Sequence, residues 1–356
     1  MISLRSMFLM LSVLLITTTY GQTRRKLPKE KQMGAYLLVY FKDDTHGLYY
    51  AVSKDGYSFT DVNGSKPIIA GDTIAEQKGI RDPYIYRAPD GMFYLALTDL
   101  HIYAKKAGYR DSEWERDGAQ YGWGNNRGIV LMKSPDLIHW SHTVLRVDKA
   151  FPELANIGCA WAPELIYDEK ERKTMMYFTM RFGKEKEKVY YTYMNKDFTA
   201  METLPKALFE YPKPNIAYID ADITKVGNKY HMFYVPHEGT AGIKHAVSDS
   251  INAGYRYEET QVDPERVGCE APTIYKRIGE NKWVLIYDIY RINPHNFGFS
   301  ETSDFVHFKN LGHFNEGVMK ATNFSSPKHP AVIQITAKEA RKISKNWNSG
   351  LQLQGN

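Results

Sequence analysis

The sequence predicts an all-β protein, a five-bladed β-propeller whose ring is closed by strands from the two ends of the chain. Two observations predict this fold: a two-part strand unit recurs along the chain, and its N-terminal copy lacks an opening strand. A third observation concerns chemistry, because Asp82, Asp220 and Glu270 each open one copy of the unit. If the copies surround an axis, carboxylates at equivalent strand starts converge on one point.

The repeated unit has two hairpin-like halves. In the first half, a strand of β-branched and aromatic residues leads through a polar turn into an aromatic-rich strand, which is typical of a hairpin. Copies of this half occur at 82–98, 162–179, 220–235 and 270–288. A second half, again with a strand, a turn and an aromatic residue, follows each copy. Together the halves supply four strands, the content of one propeller blade.

The remaining blade is divided between the chain ends. Residues 36–41, 48–53 and 54–59 carry only later-strand material, and the missing opening strand is found at 329–335. Pairing these segments closes the ring and removes exposed sheet edges. A pair of β-sandwiches also predicts short strands with polar turns, but it does not predict a unit split between the termini.

The chain ends indicate three regions. Residues 1–21 are typical of a secretory signal, because Arg5 precedes an apolar run at 7–16 and small residues flank Tyr20. The run is shorter than the roughly 20 residues of a spanning helix, so we expect cleavage and no stable membrane insertion. The protein is then secreted or periplasmic. We assign 33–336 to the propeller and 337–356 to a short helix and a tail.

Composition restricts the class of protein and of partner. The chain has 356 residues, 43% of them hydrophobic and 24% charged, which suits a soluble protein with a large core. The net charge of +5 is mild and the basic residues are dispersed, so no nucleic-acid partner is expected. The two cysteines, Cys159 and Cys269, precede inner strands of different repeats. We expect free buried thiols there rather than a disulfide.

The three strand-start acids have the chemistry of glycosidic bond hydrolysis. An inverting enzyme needs a carboxylate that activates water and an acid that protonates the leaving oxygen, about 6.5–9.5 Å apart. A third carboxylate raises the pKa of the acid through like-charge repulsion. Asp82, Asp220 and Glu270 supply these groups if they share a pocket.

The motifs around these acids resemble those of glycoside hydrolase family 43, whose members are five-bladed propellers. The resemblance covers nearly the whole mature chain and rests on Arg81-Asp82-Pro83, Ile219-Asp220-Ala221 and Cys269-Glu270-Ala271-Pro272. It implies that Asp82 is the general base, that Asp220 modulates the acid's pKa and orients it, and that Glu270 is the general acid. It also implies inversion of the anomeric configuration.

Two further acids compete with this assignment. Asp222 rivals Asp220, because side chains alternate along a strand and the two residues are expected to point the same way. We favour Asp220 because it sits at the strand start, as Asp82 does. Glu164 occupies a similar place in the second blade and is the main rival of Glu270, although a supporting role near the substrate is preferred.

Other residues are expected at the substrate site. Trp161 precedes the second inner strand and is suited to form the floor of a sugar subsite. The resemblance implies that Arg291 contacts sugar hydroxyls, and Asp99 ends the first hairpin at what is expected to be the same mouth. The insertion at 103–127 is predicted to form a loop over one end of the propeller. Core packing is the alternative role for Trp161 and Arg291.

His329 is the one candidate metal residue. The resemblance implies a histidine here, near a water-coordinated metal, so a structural calcium in the channel is considered while no cofactor is required. Calcium prefers oxygen ligands, and Pro330 replaces the glycine that usually follows this histidine. A hydrogen-bonded core histidine is the equal alternative.

The favoured function is an exported glycoside hydrolase that acts on an oligo- or polysaccharide, most of all an α-L-arabinofuranosidase. A β-xylosidase is next, followed by an endo-acting xylanase or arabinanase, or a galactan-active enzyme of the same family. A non-catalytic carbohydrate-binding propeller would lose a carboxylate, and this sequence keeps all three. A retaining enzyme of a related five-bladed group would hold its two carboxyls only about 5–5.5 Å apart.

Overall fold

Five mainly antiparallel sheets form the blades of a propeller in this computed structural model, which describes residues 27–109 and 116–349. The predicted all-β five-bladed fold is confirmed. The expected signal segment, 1–21, lies outside the described residues, as does the end of the expected tail. Among the helices that are described, none has the length and apolar character needed to cross a bilayer.

The regular elements are short, as expected for a propeller. In chain order the strands are β1 (Met33–Phe41), β2 (Tyr49–Ser53), β3 (Ser58–Asp61), β4 (Ile80–Arg87), β5 (Phe93–Asp99), β6 (Gly128–Ser134), β7 (Ser141–Arg146), β8 (Ile157–Asp168), β9 (Lys173–Phe182), β10 (Lys188–Tyr193), β11 (Lys206–Ala207), β12 (Tyr218–Val226), β13 (Lys229–Pro236), β14 (Lys244–Ser248), β15 (Arg256–Gln261), β16 (Glu270–Lys276), β17 (Trp283–Ile289), β18 (Asn296–Thr302), β19 (Lys309–His313), β20 (Lys320–Ala321) and β21 (Lys328–Thr336). The helices are α1 (Ala104–Ala107), α2 (Gly118–Tyr121), α3 (Val147–Ala150) and α4 (Ala337–Asn346), and 3₁₀ turns occur at Glu30–Gln32, Gly71–Thr73 and Pro152–Leu154.

The blades follow the chain, except for the one that closes the ring. Blades II to V are β4–β7, β8–β11, β12–β15 and β16–β19. Blade I has the order β20-β3-β2-β1-β21, so strands from both chain ends share one sheet. Leu37 pairs with Ile333 across the closing ladder, as predicted. The short parallel pairing of β20 with β3 was not predicted, because two residues leave too weak a pattern.

The core lies between the blades, and side-chain alternation along each strand builds it. In β1, Leu37 and Val39 pack in a cluster that includes Leu95 of blade II, whereas Leu38 belongs to a cluster with Ile286 of blade V. Successive residues of one strand therefore contact the blades on either side. Both cysteines are also buried and free, as predicted.

Each innermost strand carries the same irregularity near its start. One residue has a left-handed backbone, and this residue and the next one drop out of the ladder with the second strand. The left-handed residues have φ between 45° and 54° and are Asp82, Ala162, Asp220, Ala271 and His329. Such a bulge bends the strand and re-aims its side chains. The bulges therefore decide what faces the channel mouth.

Helix α4 follows the closing strand and is held by a capping box between Thr336 and Glu339. The Glu339 carboxylate also accepts two hydrogen bonds from the Arg87 guanidinium, at 2.9 and 2.7 Å. This bidentate pair connects the end of blade I to blade II.

Ile335→Ala should destabilise the protein, because Ile335 is fully buried where β21 joins β1. We expect a loss of about 2–5 kcal/mol in the free energy of unfolding, measured by urea denaturation. Val306→Ala is the control, since that side chain is 73% exposed, and its effect should stay within about 0.5 kcal/mol. Equal unfolding midpoints for the two variants would contradict the closure of the ring by this strand.

Candidate active site

One mouth of the channel opens into a cavity of about 630 Å³. The innermost strands supply its floor through residues at or just before their bulges: Arg81, Asp82, Trp161, Ile219, Asp220, Glu270 and Lys328. The structure thus brings Asp82, Asp220 and Glu270 together in one cavity. Their catalytic roles stay predictions at this point.

The three acids do not occupy the same register position, which corrects the sequence interpretation. Asp82 and Asp220 are the left-handed residues of their strands, whereas in β16 that residue is Ala271. Glu270 lies one residue earlier, in the ladder position that Arg81 holds in β4. Its carboxylate therefore starts from a different part of the bulge and reaches the same cavity on a longer side chain.

Asp82 is held as a carboxylate by its neighbours. The Thr98 hydroxyl donates to Asp82 Oδ2 at 2.7 Å, and His329 Nδ1 lies 3.2 Å from Oδ1. Burial alone would raise the pKa of Asp82, but His329, Arg81 and Thr98 outweigh it and hold this pKa below its ordinary value. Asp82 therefore has the protonation state of a general base.

The pKa of Asp220 is shifted in the opposite direction from that of Asp82. Asp220 is 6% exposed, its backbone N–H donates to Thr179 Oγ1 at 3.0 Å, and its Oδ2 accepts from the Ala271 N–H at 3.2 Å. Burial raises the pKa of Asp220 to about 7, against the effect of the His329 cation, and the nearby carboxylates of Glu270 and Asp82 add to the rise. Asp220 therefore exchanges a proton near neutral pH.

Glu270 contacts a buried cation. Lys328 Nζ lies 3.3 Å from Glu270 Oε1 and 3.0 Å from Asp288 Oδ2, and Asp288 is opposite Glu270 in the ladder. Burial acts against the Lys328 cation, but Asp288 and Glu270 outweigh it and raise the pKa of Lys328. This lysine therefore stays charged beside Glu270.

Asp222 and Glu164 form a separate buried carboxyl pair. Alternation predicts that Asp222 points the same way as Asp220, but the bulge intervenes and their surroundings differ. Asp222 accepts from the Ile274 N–H at 2.7 Å, and Glu164 accepts from the Tyr177 hydroxyl at 2.9 Å. Burial raises the pKa of Asp222 to about 7, and burial together with Asp222 raises that of Glu164. Neither residue is among those that line the cavity.

Trp161 forms part of an aromatic wall at the cavity. Its Nε1 donates to the Gly124 carbonyl at 2.8 Å, and its ring lies 6.0 Å from that of Trp123, edge to face. The Arg181 guanidinium stacks on Trp161 at 4.7 Å and donates to the Trp123 carbonyl at 2.7 Å. Arg181 thus fixes the insertion onto blade III, and Trp123 stays 69% exposed. Exposed aromatic faces of this kind suit sugar rings.

Besides Glu164, two more predicted site residues lie outside this cavity. Asp99 is buried, and its carboxylate accepts from the N–H groups of Glu76 and Gln77 at 2.9 and 2.8 Å, so it holds the chain before β4. Arg291 lines a neighbouring cavity rather than the one that holds the acids. The connection after β17 carries it outward.

His329 contacts two acidic side chains of the site. Its Nδ1 contacts Asp82, and its backbone N–H donates to Asp288 at 3.2 Å. Among the described residues there is no group of three or more His, Cys, Asp or Glu side chains arranged to hold a metal ion. The structural calcium considered from the sequence stays a prediction, and we derive no step through a metal.

The sequence interpretation missed the cations of the cavity. Arg81 donates to Asp43 at 2.7 Å, and Lys328 contacts Glu270. A signal existed, because both cations directly precede a left-handed residue and share the register position of Glu270. Aligning the strand starts on that position would have found them. Asp43 follows β1 and carries no comparable signal.

A family model described as "Probable glycosyl hydrolase domain", of the type related to glycoside hydrolase family 43, matches residues 31–341. The chain belongs to this family. The match covers every blade of the propeller, including both strands that close the ring. The resemblance inferred from the acid motifs is confirmed.

Relatives of this family-43-related chain are distant. An α-L-arabinofuranosidase of Bifidobacterium longum is 20% identical over 251 residues, which are 64% of this chain and 22% of that protein. The endo-arabinase structure from Bacteroides thetaiotaomicron has a TM-score of 0.55 at 16% identity, covering 78% of this chain and 94% of that one. An endo-1,4-β-xylanase structure from the same organism has a TM-score of 0.54 at 13% identity, covering 78% and 91%. At these identities the structures show the shared fold.

Asp220→Asn should stabilise this family-43-related protein at pH 8 and lose that advantage toward pH 4. In the folded protein the pKa of Asp220 is about 7, whereas in the unfolded chain it is about 3.9. Stability therefore falls as pH rises through this interval, and asparagine does not titrate. We expect a gain on the order of 1–3 kcal/mol in unfolding free energy at pH 8, measured by urea denaturation from pH 4 to pH 8.

Asp72→Asn, which changes an exposed carboxyl, is the control and should leave the pH dependence as in the parent. An Asp220→Asn variant that parallels the parent at every pH would show that this carboxyl is not held protonated by burial.

Proposed function

We propose that this protein is an inverting glycoside hydrolase that removes α-L-arabinofuranosyl groups from an oligo- or polysaccharide. One observation carries the proposal: Asp82, Asp220 and Glu270 line a single cavity while their surroundings set Asp82 and Asp220 to opposite protonation behaviour. The lowered pKa of Asp82 suits a general base, whereas Asp220, whose pKa is raised, is assigned the modulating role beside Glu270.

In the proposed reaction, Asp82 takes a proton from a water molecule as its oxygen attacks the anomeric carbon. The bond from that carbon to the leaving oxygen breaks, and Glu270 gives its proton to the leaving oxygen. Water attacks from the face opposite the leaving group, so the anomeric configuration inverts. Thr98 and His329 orient Asp82 for this step through the contacts described above.

Lys328 and Asp220 interact electrostatically with the Glu270 carboxyl group. The contact of Lys328 with Glu270 is longer than its contact with Asp288, so a leaving oxygen that approaches Glu270 displaces the weaker of the two. Like-charge repulsion from Glu270 helps to raise the pKa of Asp220, so Asp220 is the group that holds a proton beside Glu270.

The arabinofuranoside preference is supported by the similarity to the α-L-arabinofuranosidase of Bifidobacterium longum. The chain spans about a fifth of that relative's length, so the likeness concerns one region of it. A cavity walled by Trp161 and Trp123 accepts a compact sugar ring, and tyrosine and tryptophan faces pack on sugar C–H groups.

The proposal predicts the substrate and the stereochemistry of the product. Among 4-nitrophenyl α-L-arabinofuranoside, β-xyloside and β-galactoside, the arabinofuranoside should be hydrolysed fastest. Proton NMR of the first product should show the β-anomer of arabinose before mutarotation. Faster hydrolysis of the xyloside or the galactoside would assign a different substrate within the family. A product that keeps the anomeric configuration would exclude the inverting mechanism.

The acid and base roles separate in a leaving-group series. Asp82→Asn should lower kcat by about 10²–10⁴-fold or more on every substrate, because no other group activates the water. Glu270→Gln should be as damaging for arabino-oligosaccharides but much less so for a dinitrophenyl glycoside, whose leaving group needs little protonation.

Glu164→Gln is the matched control for Glu270→Gln, because it makes the same change outside the cavity. It should not show a leaving-group dependence. If Glu164→Gln shows that dependence and Glu270→Gln does not, the acid has been assigned to the wrong residue.

A further inference from the structure

A second cavity, of about 550 Å³, adjoins the one that holds the acids. His237 and Tyr290 line both cavities, so the two spaces meet at these side chains. The second cavity is further lined by Arg266, Arg291 and the backbone around Gly268. Nothing in the proposed reaction uses it.

The second cavity has an unbalanced positive charge. Arg266 and Arg291 are exposed, and in the part of the chain that the structure describes neither has a carboxylate within ion-pair distance. Glu238, which directly follows His237 in the sequence, and Glu265, which directly precedes Arg266, are already paired with other cations. Glu238 contacts Lys213 at 2.9 Å, and Glu265 contacts His313 at 2.9 Å. The arginines are therefore available to an anion from outside the protein.

Arg291 contacts the side chain of Tyr290 at this cavity. Its Nε lies 3.4 Å from the Tyr290 hydroxyl, and its guanidinium lies over the Tyr290 ring at 5.4 Å. Tyr290 in turn stands at the junction of the two cavities. A guanidinium presents several donors in one plane and matches the geometry of a carboxylate or a sulfate.

The second cavity lies on the side of Glu270. Gly268, which lines it, is two residues before Glu270, and Tyr290 is two residues after Asp288, the ladder partner of Glu270. Asp82, Asp220 and Glu270 all line only the first cavity, so it is the sequence neighbours of Glu270 and Asp288 that place the second cavity beside blade V. A general acid stands beside the leaving oxygen, so the space next to Glu270 is where the leaving group extends.

We propose that the second cavity binds an anionic substituent, the carboxylate of a uronic acid or a sulfate ester, on the leaving-group part of the substrate. The substrate class is then an acidic glycan rather than a neutral one. The leaving-group placement rests on the proposed function, whereas the anion site rests on Arg266 and Arg291 alone.

Binding is tested first, by NMR titration at low salt with methyl glucuronide, methyl glucoside 6-sulfate and neutral methyl glucoside. The parent should bind at least one anionic probe about tenfold more tightly than the neutral probe, as expected for charge-assisted hydrogen bonds. The double variant Arg266→Gln/Arg291→Gln should lose this preference. Arg256→Gln is the control, since that arginine is 65% exposed on β15 and does not line the cavity, and it should keep the preference.

The relative affinities of the two anionic probes show which substituent the cavity binds. Tighter binding of methyl glucuronide indicates a uronic acid carboxylate, and tighter binding of methyl glucoside 6-sulfate indicates a sulfate ester. Equal binding of all three probes to the parent overturns the proposal. An anion preference that survives in the double variant overturns it as well.

Hydrolysis is tested second, on substrates that share the sugar to be released and carry glucose, glucuronate or glucose 6-sulfate as the leaving group. The ratio of kcat/KM for the anionic over the neutral substrate should fall about tenfold in the double variant and stay unchanged in Arg256→Gln. If the parent hydrolyses none of them but keeps the anion preference in the titration, the anion site stands and the proposed arabinofuranoside specificity falls. If it hydrolyses all three equally, the function stands and the anionic leaving group is excluded.

Discussion

The structure depends on a strained backbone position that recurs in every innermost strand. A left-handed conformation at a non-glycine residue costs about 1–3 kcal/mol and persists only where its surroundings fix it. At four of the five positions the fixing group comes from the preceding blade, whose side chain accepts a hydrogen bond from the N–H of the strained residue. These bonds run from Ala162 to Thr98, from Asp220 to Thr179, from Ala271 to Asp220 and from His329 to Asp288. The strain that shapes the site is thus held by contacts between blades.

The same bulges explain why acids in one cavity behave differently. Asp82 has both Thr98 and His329 against its oxygens, so its charge is compensated. Asp220 receives one long backbone hydrogen bond and faces other carboxylates, so burial dominates and its proton is retained. Like residues in like backbone positions acquire opposite protonation behaviour because the neighbouring blades differ. A propeller permits such differences, because the side chains of each blade can differ while the four-stranded fold of the blade is kept.

The sequence was sufficient for the fold because propeller repeats carry strong signals: alternation, polar turns and a unit divided between the termini. It also predicted that three acids would share a cavity, since each opens an inner strand. It could not predict the register of Glu270, because a bulge shifts side chains by one position without changing the residue pattern. The same shift separated Asp222 from Asp220. The predicted positions of Arg291 and Asp99 rested on strand order alone. In the structure the loop after β17 carries Arg291 to the second cavity, and the N–H groups of Glu76 and Gln77 bind the Asp99 carboxylate.

The central claim is that the cavity holds a glycosidic bond between Asp82 and Glu270. A crystal structure of the Asp82→Asn variant with an arabino-oligosaccharide tests it most directly. The account predicts the scissile oxygen within hydrogen-bond distance of Glu270, the anomeric carbon facing residue 82, and side-chain carboxyl carbons about 6.5–9.5 Å apart. A sugar bound with Glu164 or Asp222 at the scissile oxygen, or a separation near about 5 Å, would contradict it.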